Sequence, residues 1–397
     1  MKKILFVHQA STIGGASYCM LSLLRGLDKS RFEPIVMLRN DGLLVGEIRK
    51  LGIRVIFFDE MTTIPYNESL CKFSSIITYL KVVLIQKKFA WYLNELKIDV
   101  VYLNNMMLYP YLRTSKLAGC KTIMHVREHW PKDEHQYQMK RARNYAWKYA
   151  DAMIAINKYS ASLFPECFNK VHIIYDWFDI KNRNERRPYS EIFGEGSEDL
   201  KVFLFTGGLG RIKGTHVVVR TFQEKIHGND YRLLMMGAGL DYKLQGLSGK
   251  IKKILMLTGW KPYGFSIMEQ IKKDNRIVVI PPTYNMVDIY RQAFCTLSYF
   301  TIPHANLALA EAVALGTVAI AARTEESIEY SDGGEGAILF NINDSNDFIE
   351  KINYVIANQE VVKKQAEGHS ENIKMLFSPE FNIEKLNHVC DIVCIDE

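Results

Sequence analysis

Short apolar runs alternate with stretches of helical spacing along almost all of the 397 residues. In the first half, the runs that predict buried strands lie at 3–7, 34–38, 55–58, 100–103, 122–126, 152–156 and 171–174. In the second half they lie at 202–205, 233–236, 277–280, 296–300, 318–321 and 337–340. Because buried strands that alternate with helices are typical of parallel sheets covered on both faces, the pattern predicts an α/β fold.

A polar stretch separates the two series of strands. Residues 181–200 have no sustained apolar period, and we interpret them as an interdomain linker. The alternation then restarts, which predicts two tandem Rossmann-like domains, at 1–180 and 201–376. A further helix is predicted at 383–393, and the C-terminal segment that contains it, 377–397, is expected to pack back on the N-terminal domain.

Composition and charge narrow the class of protein. The chain is 48% apolar and 24% charged, which excludes a disordered or collagen-like chain. Residues 1–190 carry 29 basic and 17 acidic side chains, whereas residues 191–397 carry 21 and 27. A basic first half suggests an anionic partner.

The seven scattered cysteines favour reduced thiols, and neither a signal peptide nor a membrane span is predicted, so we expect a cytoplasmic location.

Two glycine turns each follow the first strand of a half. In the first, residues 11–16 (STIGGA), amides at a helix N-terminus would form an anion site, although a plain strand–helix turn has the same pattern. In the second, residues 206–214 (TGGLGRIKG), Lys213 replaces the third glycine of a dinucleotide fingerprint, and no acid ends the next strand. Hydride chemistry is therefore disfavoured. Arg211 and Lys213 suit a diphosphate, and a solvated basic turn is the alternative.

Further candidates lie on a helix and at a strand end. Asn306 predicts the N-cap of a helix that ends at Gly316, and Glu311 is the only charge in it. A buried Glu311 would need a partner or ligand hydroxyls, whereas a surface-facing glutamate would not.

His125 ends a strand, where ligands of parallel sheets bind. The HVREH pattern at 125–129 would bind zinc only on a helix, so a ligand contact or a structural histidine is favoured instead.

One long segment is both apolar and basic. Residues 72–97 mix lysines and aromatic residues into an apolar stretch. An amphipathic helix at a membrane surface has this pattern, and so does a core helix with a solvated basic edge. No nucleic-acid motif accompanies the basic charge, so nucleic acid is not expected as a partner.

The order of these motifs resembles that of the retaining glycosyltransferases of family 4, of the bacterial polysaccharide-biosynthesis type. The resemblance covers nearly the whole chain. Its motifs are the Gly-Gly-Ala turn at 14–16, His125, Ala150-Asp151 before a strand, the 173–176 run in place of Ile-Tyr-Asn, the 207–214 turn and Glu311-Ala312. It implies the GT-B fold, with two parallel sheets that face a central cleft.

The resemblance also implies partners and residue roles. It implies a nucleotide-diphosphate sugar donor, held mainly by the second half, and a glycan or lipid-linked acceptor, with contact to an anionic membrane at the inner face. No cofactor and no metal are implied. Glu311 would hold the ribose hydroxyls. Catalytic roles fall to His125, Lys213 and Arg211, and the other donor-binding roles to Gly15, Ala16, Gly207, Gly208, Asn306, Leu307 and Ala308.

Two positions depart from the family pattern. Pro303 stands where the first of two glutamates is expected, and Gly208 stands where an arginine is usual. Arg211 is our candidate for the missing charge. A non-catalytic module that binds a nucleotide sugar or a glycan is therefore a second hypothesis, and a nucleotide-sugar epimerase is a third. Residues 240–275 are interpreted as an insertion near the donor cleft.

Overall fold

The computed structural model describes residues 1–12, 14–64, 73–130, 136–180, 189–194, 196–197, 199–237, 262–281 and 286–395. It divides into two compact units, Met1–Asp179 with Phe377–Glu397, and Ile180–Leu376. Each unit is a Rossmann-like layer structure around one parallel sheet. The predicted α/β class with two such domains is confirmed.

The strands lie close to the predicted apolar runs. In the N-terminal unit they are β1 Lys2–His8, β2 Phe32–Leu38, β3 Arg54–Phe57, β4 Val100–Leu103, β5 Lys121–Val126, β6 Ala152–Ala155 and β7 Val171–Ile173. In the C-terminal unit they are β8 Lys201–Phe205, β9 Tyr231–Met236, β10 Ile277–Ile280, β11 Cys295–Ser298, β12 Ala319–Ala322 and β13 Ile338–Phe340.

Helices connect the strands. Those of the N-terminal unit are α1 Gly15–Gly26, α2 Leu43–Lys50, α3 Phe73–Leu96, α4 Tyr111–Leu117, α5 Gln136–Tyr149 and α6 Lys158–Ser162, with 3-10 helices at Met106–Leu108 and Pro165–Lys170. The following helices are α7 Tyr189–Phe193, α8 Thr215–Lys225, α9 Tyr263–Ile271, α10 Met286–Gln292, α11 Leu307–Ala314, α12 Glu325–Glu329, α13 Ser345–Ala357 and α14 Gln359–Leu376. The last, α15 Pro379–Cys394, returns to the N-terminal unit.

The strand order places one switch point in each sheet. The N-terminal sheet has the order β3-β2-β1-β4-β5-β6-β7, and the C-terminal sheet has the order β10-β9-β8-β11-β12-β13. The chain direction across the sheet therefore reverses between β1 and β4, and again between β8 and β11. In doubly wound folds, ligands bind at the carboxyl ends of the strands at such a point.

Burial on both faces explains why the strands are apolar throughout. In β1, Leu5 and Val7 pack into one core cluster, and Ile4 and Phe6 pack into the other. α15 completes the second cluster by burying Leu386, Val389, Cys390 and Val393. No helix among the described residues is long and apolar enough to cross a bilayer.

Part of the predicted linker is folded. Residues 189–193 form α7, whose Tyr189 is buried and donates its hydroxyl to the Ile289 carbonyl at 3.2 Å. This part of 181–200 therefore belongs to the C-terminal unit. Five residues are too few for a helical period to be recognised in sequence. Of the predicted insertion at 240–275, residues 240–261 lie outside the described residues, and 263–271 form α9.

Candidate functional site

In the C-terminal unit, the loops that follow β8 and β11 touch each other. The two strands are hydrogen-bonded neighbours, so both loops leave the same edge of the sheet at the switch point. The Thr301 amide donates to the Ile212 carbonyl at 2.9 Å. A Cβ atom at Gly214 would lie 2.3 Å from the Tyr299 carbonyl oxygen. The fold therefore brings the turn of Arg211 and Lys213 beside the segment that leads to Asn306.

The glycines of this turn allow close backbone approach. Gly208 has φ of +59°, and a Cβ there would lie 2.9 Å from the Gly237 carbonyl oxygen at the end of β9. A Cβ at Gly207 would lie 2.3 Å from the Phe205 ring. The Thr215 hydroxyl bonds to the Gly208 carbonyl at 3.1 Å. The space around Gly208 excludes a side chain, which explains why no arginine stands there.

Lys213 is a partly buried cation whose charge the described residues do not balance. Its Nζ lies 3.9 Å from the centroid of the Phe300 ring. Burial lowers its pKa to about 8. Within the described ranges it forms no ion pair. An ammonium group in this position gains from an anionic ligand, because the anion supplies the charge balance that the protein does not.

Arg211 lies on the exposed side of the same turn. Its guanidinium group is 5.2 Å from the centroid of the Tyr263 ring on α9. The Tyr263 hydroxyl in turn accepts from the His216 amide at 3.1 Å and lies 2.9 Å from Nδ1 of that histidine. α9 thus supports the first turn of α8. The structure shows Arg211 stacked near an aromatic ring, and its predicted diphosphate contact stays a prediction.

The N-terminus of α11 presents free amides. Asn306 is buried and caps the helix, with its Oδ1 accepting from the Leu309 amide at 3.3 Å. Its Nδ2 donates to the Ser298 hydroxyl at 2.7 Å. The amides of Leu307 and Ala308 make no hydrogen bond to a described residue. The predicted cap and the helix end at Gly316 are confirmed, and two amide donors are available to an anion.

Glu311 lies one turn further along α11 and is partly buried. Burial raises its pKa to about 7, and a hydrogen bond from Tyr290, 2.9 Å from its Oε2, acts in the opposite direction. The surface-facing alternative for Glu311 is therefore excluded. Its carboxyl group is held in place by Tyr290, a buried residue of α10.

In the N-terminal unit, His125 lies at the end of β5 and is 1% exposed. Its Nδ1 is 2.7 Å from the Tyr102 hydroxyl, and its Nε2 has no hydrogen-bond partner among the described residues. Burial, and to a smaller degree Arg127, holds the pKa of His125 well below its usual value, so the ring is neutral. When Tyr102 donates to Nδ1, Nε2 carries the ring hydrogen and can donate it to a ligand.

A chain of hydrogen bonds supports the first glycine turn. The Asn104 amide group lies 3.2 Å from Nδ1 of His8, and Nε2 of His8 lies 3.2 Å from the Ser17 hydroxyl. Ser17 donates to the Thr12 carbonyl at 2.8 Å. Burial, with Arg127, lowers the pKa of His8 to about 3, so this histidine is neutral as well.

Gly15 and Ala16 are exposed in the first turn of α1, just beyond that network. A Cβ at Gly15 would have no atom within 4 Å, so the described structure leaves space above the turn. Their predicted contact with donor or acceptor stays a prediction.

A buried ion pair lies behind His125. Nη1 of Arg127 donates to both carboxylate oxygens of Asp176, at 2.8 and 2.6 Å, and its Nε donates to Asn104 at 3.1 Å. The two side chains are 6% and 14% exposed. Nη2 of Arg127 has no described partner. Asp176 stands where the resemblance expects asparagine, and Arg127 is the cation that balances it.

The residues that position other side chains of the site were not identified from the sequence. Phe300, Tyr290 and the Arg127–Asp176 pair were not selected, because each gains its role from a neighbour far along the chain. The one available signal was an unusual aspartate at 176 together with an arginine two residues after His125. For the zinc alternative, the structure shows that His125 is on a strand and that the His129 ring stacks on Tyr159, with centroids 4.3 Å apart.

The loops of the C-terminal unit described above lie in a segment that matches a known family model. Residues 200–358 match the family model described as glycosyl transferases group 1. The matched segment includes the turn of Lys213, Tyr290, the N-terminus of α11 and Glu311. A comparison with curated proteins gave no match.

Several solved structures share the fold of the whole chain. Anabaena Alr3699/HepE, solved in complex with UDP and glucose, is 18% identical with a TM-score of 0.74, over 98% of this chain and 100% of its own. A Rickettsia africae glycosyltransferase is 17% identical (TM-score 0.69; 98% of each chain). Sucrose-phosphate synthase from Thermosynechococcus elongatus is 14% identical (TM-score 0.67; 98% of each chain). At these identities the similarity shows the GT-B fold, which confirms that prediction.

Proposed function

We propose that this protein is a retaining glycosyltransferase of family 4 that moves a sugar from a nucleotide-diphosphate sugar to a glycan or lipid-linked saccharide. The observation that carries the proposal is the switch point of the C-terminal sheet, between β8 and β11. There Lys213, whose charge no described residue balances, shares one edge of the sheet with the two free amides at the start of α11. HepE, which shares the fold, was solved with UDP, and this supports a nucleotide ligand.

The chemistry follows from charge. Cleavage of a sugar–diphosphate bond leaves negative charge on the departing phosphate. Lys213 and the amides of Leu307 and Ala308 would stabilise that charge, and one such donor is worth roughly 10²–10³ in rate. We propose that they do so without a bound metal ion. Glu311 would accept hydrogen bonds from the ribose hydroxyls, and the Nε2 hydrogen of His125 would be donated to the sugar or its phosphate.

The remaining parts of the proposal concern context. The acceptor would be an intermediate of cell-surface polysaccharide synthesis, processed at the cytoplasmic face of the inner membrane. The support is the excess of basic residues in the first half of the chain. Retention would proceed by attack on the face that the phosphate leaves, with the phosphate taking the proton of the acceptor.

A thermal-shift screen of nucleotides and nucleotide sugars tests the donor site. A ligand at about 100 times its Kd stabilises a protein by about 2.7 kcal/mol, which is a shift of a few degrees for domains of this size. We expect a shift with UDP or its sugars in the wild type and its loss in Lys213→Ala. Lys225→Ala, at the exposed end of helix α8, which follows the turn of Lys213, is the matched control and should keep the shift.

Product analysis then separates the activities. Transfer with the anomeric configuration kept, and unaffected by a chelator, supports the proposal. A shift without turnover favours the binding module motivated by Pro303. An isomerised sugar formed without an acceptor identifies an epimerase. No shift with any nucleotide refutes a nucleotide-sugar donor.

A further inference from the structure

The outer side of α3 is apolar where a surface helix is normally polar. Val82, Phe89 and Leu93 face the core and are buried. On the opposite side, five aliphatic side chains and a tryptophan are 37–76% exposed; these are Ile76, Ile77, Leu80, Val83, Leu84 and Trp91. Their spacing of three, four and seven residues places them on one stripe. We call this set the α3 outer face.

Such a face is unusual on a protein surface. Single exposed apolar residues are common, but a contiguous apolar stripe marks an interaction site. The inner residues of α3 already fill the core, so the outer ones are not needed for folding. The stripe extends over about two turns from Ile76 to Leu84, or about 12 Å at 1.5 Å per residue, and Trp91 follows it beyond the exposed Lys87.

Basic and aromatic residues border the α3 outer face. Lys81 and Lys87 are exposed on the same side of the helix. Arg141 of α5 reaches α3, because its guanidinium group is 4.4 Å from the centroid of the Tyr79 ring of α3. α5 carries four basic side chains and no acidic one, and its Trp147 is 55% exposed. It lines a groove of about 1080 Å³ that includes Arg141 and Trp147.

We propose that the α3 outer face docks on an anionic lipid bilayer. The aliphatic side chains would enter the boundary between headgroups and acyl chains, Trp91 would lie at the headgroup level, and the lysines and the basic groove of α5 would contact anionic headgroups. This inference rests on the proposed function only where it concerns a lipid-linked acceptor. The surface can be tested without any sugar donor.

Charge favours a bilayer over a second copy of the chain. In a two-fold contact the same patch faces itself, so the cations of α3 and α5 would lie opposite one another and repel. An anionic membrane instead attracts each cation near its surface. Apolar burial and charge then act in the same direction.

Vesicle flotation of the full chain tests the proposal. We expect binding to vesicles of phosphatidylcholine mixed with phosphatidylglycerol, and much weaker binding to phosphatidylcholine alone. Leu80→Ser/Leu84→Ser should weaken binding roughly tenfold for each leucine, given the apolar area it buries. Val361→Ser/Met375→Ser is the matched control, because both side chains are exposed on α14. It should bind like the wild type.

A second pair of variants tests the charge. Lys81→Gln/Lys87→Gln should weaken binding to anionic vesicles roughly fivefold for each lysine, and high salt should have a similar effect. Lys363→Gln/Lys364→Gln, also exposed on α14, should change nothing. The tryptophan emission should shift to the blue on binding, by a smaller amount in Trp91→Phe.

The outcomes are distinct. Absence of binding to anionic vesicles, or equal binding by the α3 variants, overturns the proposal. So does a wild-type dimer that the α3 variants convert to a monomer, since the face would then be covered by a second copy. Circular dichroism shows whether each variant is folded. A chain that binds UDP but no vesicles loses only this inference, and one that binds vesicles but no nucleotide loses only the proposed function.

Discussion

Asp176→Asn puts into this chain the residue that the family resemblance expects, and we predict that it destabilises the protein strongly. The change keeps the shape of the side chain but removes its charge. Arg127 is 6% exposed and has Asp176 as its only described ion-pair partner, through two hydrogen bonds of 2.8 and 2.6 Å. Its guanidinium group would remain a buried cation without an ion-pair partner among the described residues.

The size of the effect follows from that burial. Removal of one partner from a buried ion pair typically costs about 3–5 kcal/mol, because the remaining charge is neither solvated nor paired. A unit of this size loses about 2–4 °C of Tm for each kcal/mol, so we expect Tm to fall by roughly 6–20 °C. Asp391→Asn is the control. Asp391 pairs with Arg31 near the surface, where both side chains are more than one-third exposed, and such a solvent-screened pair contributes little to stability.

Chemical unfolding and thermal scans measure both variants. The double variant Arg127→Met/Asp176→Asn removes the cation as well, and it should recover part of the lost stability. If Asp176→Asn unfolds no earlier than Asp391→Asn, the claim of charge balance behind His125 is refuted.

Three further predictions concern the C-terminal unit. Glu311 has a pKa of about 7 instead of 4.5. The stability that it contributes is therefore complete below pH 4.5 and is lost as the pH rises through 7. Glu311→Gln does not titrate, so its Tm should rise relative to that of the wild type across that interval. Lys213 should take up a proton when a diphosphate binds between pH 8 and 10.5, because the anion raises its lowered pKa, and calorimetry in two buffers of different ionisation enthalpy detects this. Gly208→Arg should destabilise the domain more than Gly333→Arg does, since both glycines have positive φ but only Gly208 lies against another backbone segment.

Each of these three predictions has a control variant or a result that would contradict it. A Tm difference between Glu311→Gln and wild type that does not change with pH would show that the carboxyl group titrates normally. Lys213→Met should abolish the proton uptake, and uptake that persists would place the proton elsewhere. Equal losses of Tm in the two glycine variants would show that left-handed strain alone, about 1–2 kcal/mol, explains both.

The periodicity of the chain determined the fold class. Thirteen short apolar runs predicted thirteen strands, because a strand buried on both faces must be apolar throughout and this pattern is local. The Asn306 cap was equally local, since the side chain bonds an amide three residues away. Residues 189–193 were not recognised as a helix, because what holds α7 is a contact between Tyr189 and the Ile289 carbonyl, 100 residues further on.

Only the tertiary structure decided the chemistry of the site. Whether Glu311 faces solvent, why Gly208 replaces an arginine, and what balances Asp176 each depend on a neighbour from another element of the fold: Tyr290, Gly237 and Arg127. The exposed apolar side of α3 was also decided only by the tertiary structure. A helix with apolar residues on all sides is expected to be buried, and only packing shows which side remains exposed. Local propensity selects the elements, whereas burial, charge balance and close backbone approach exist only once those elements have assembled.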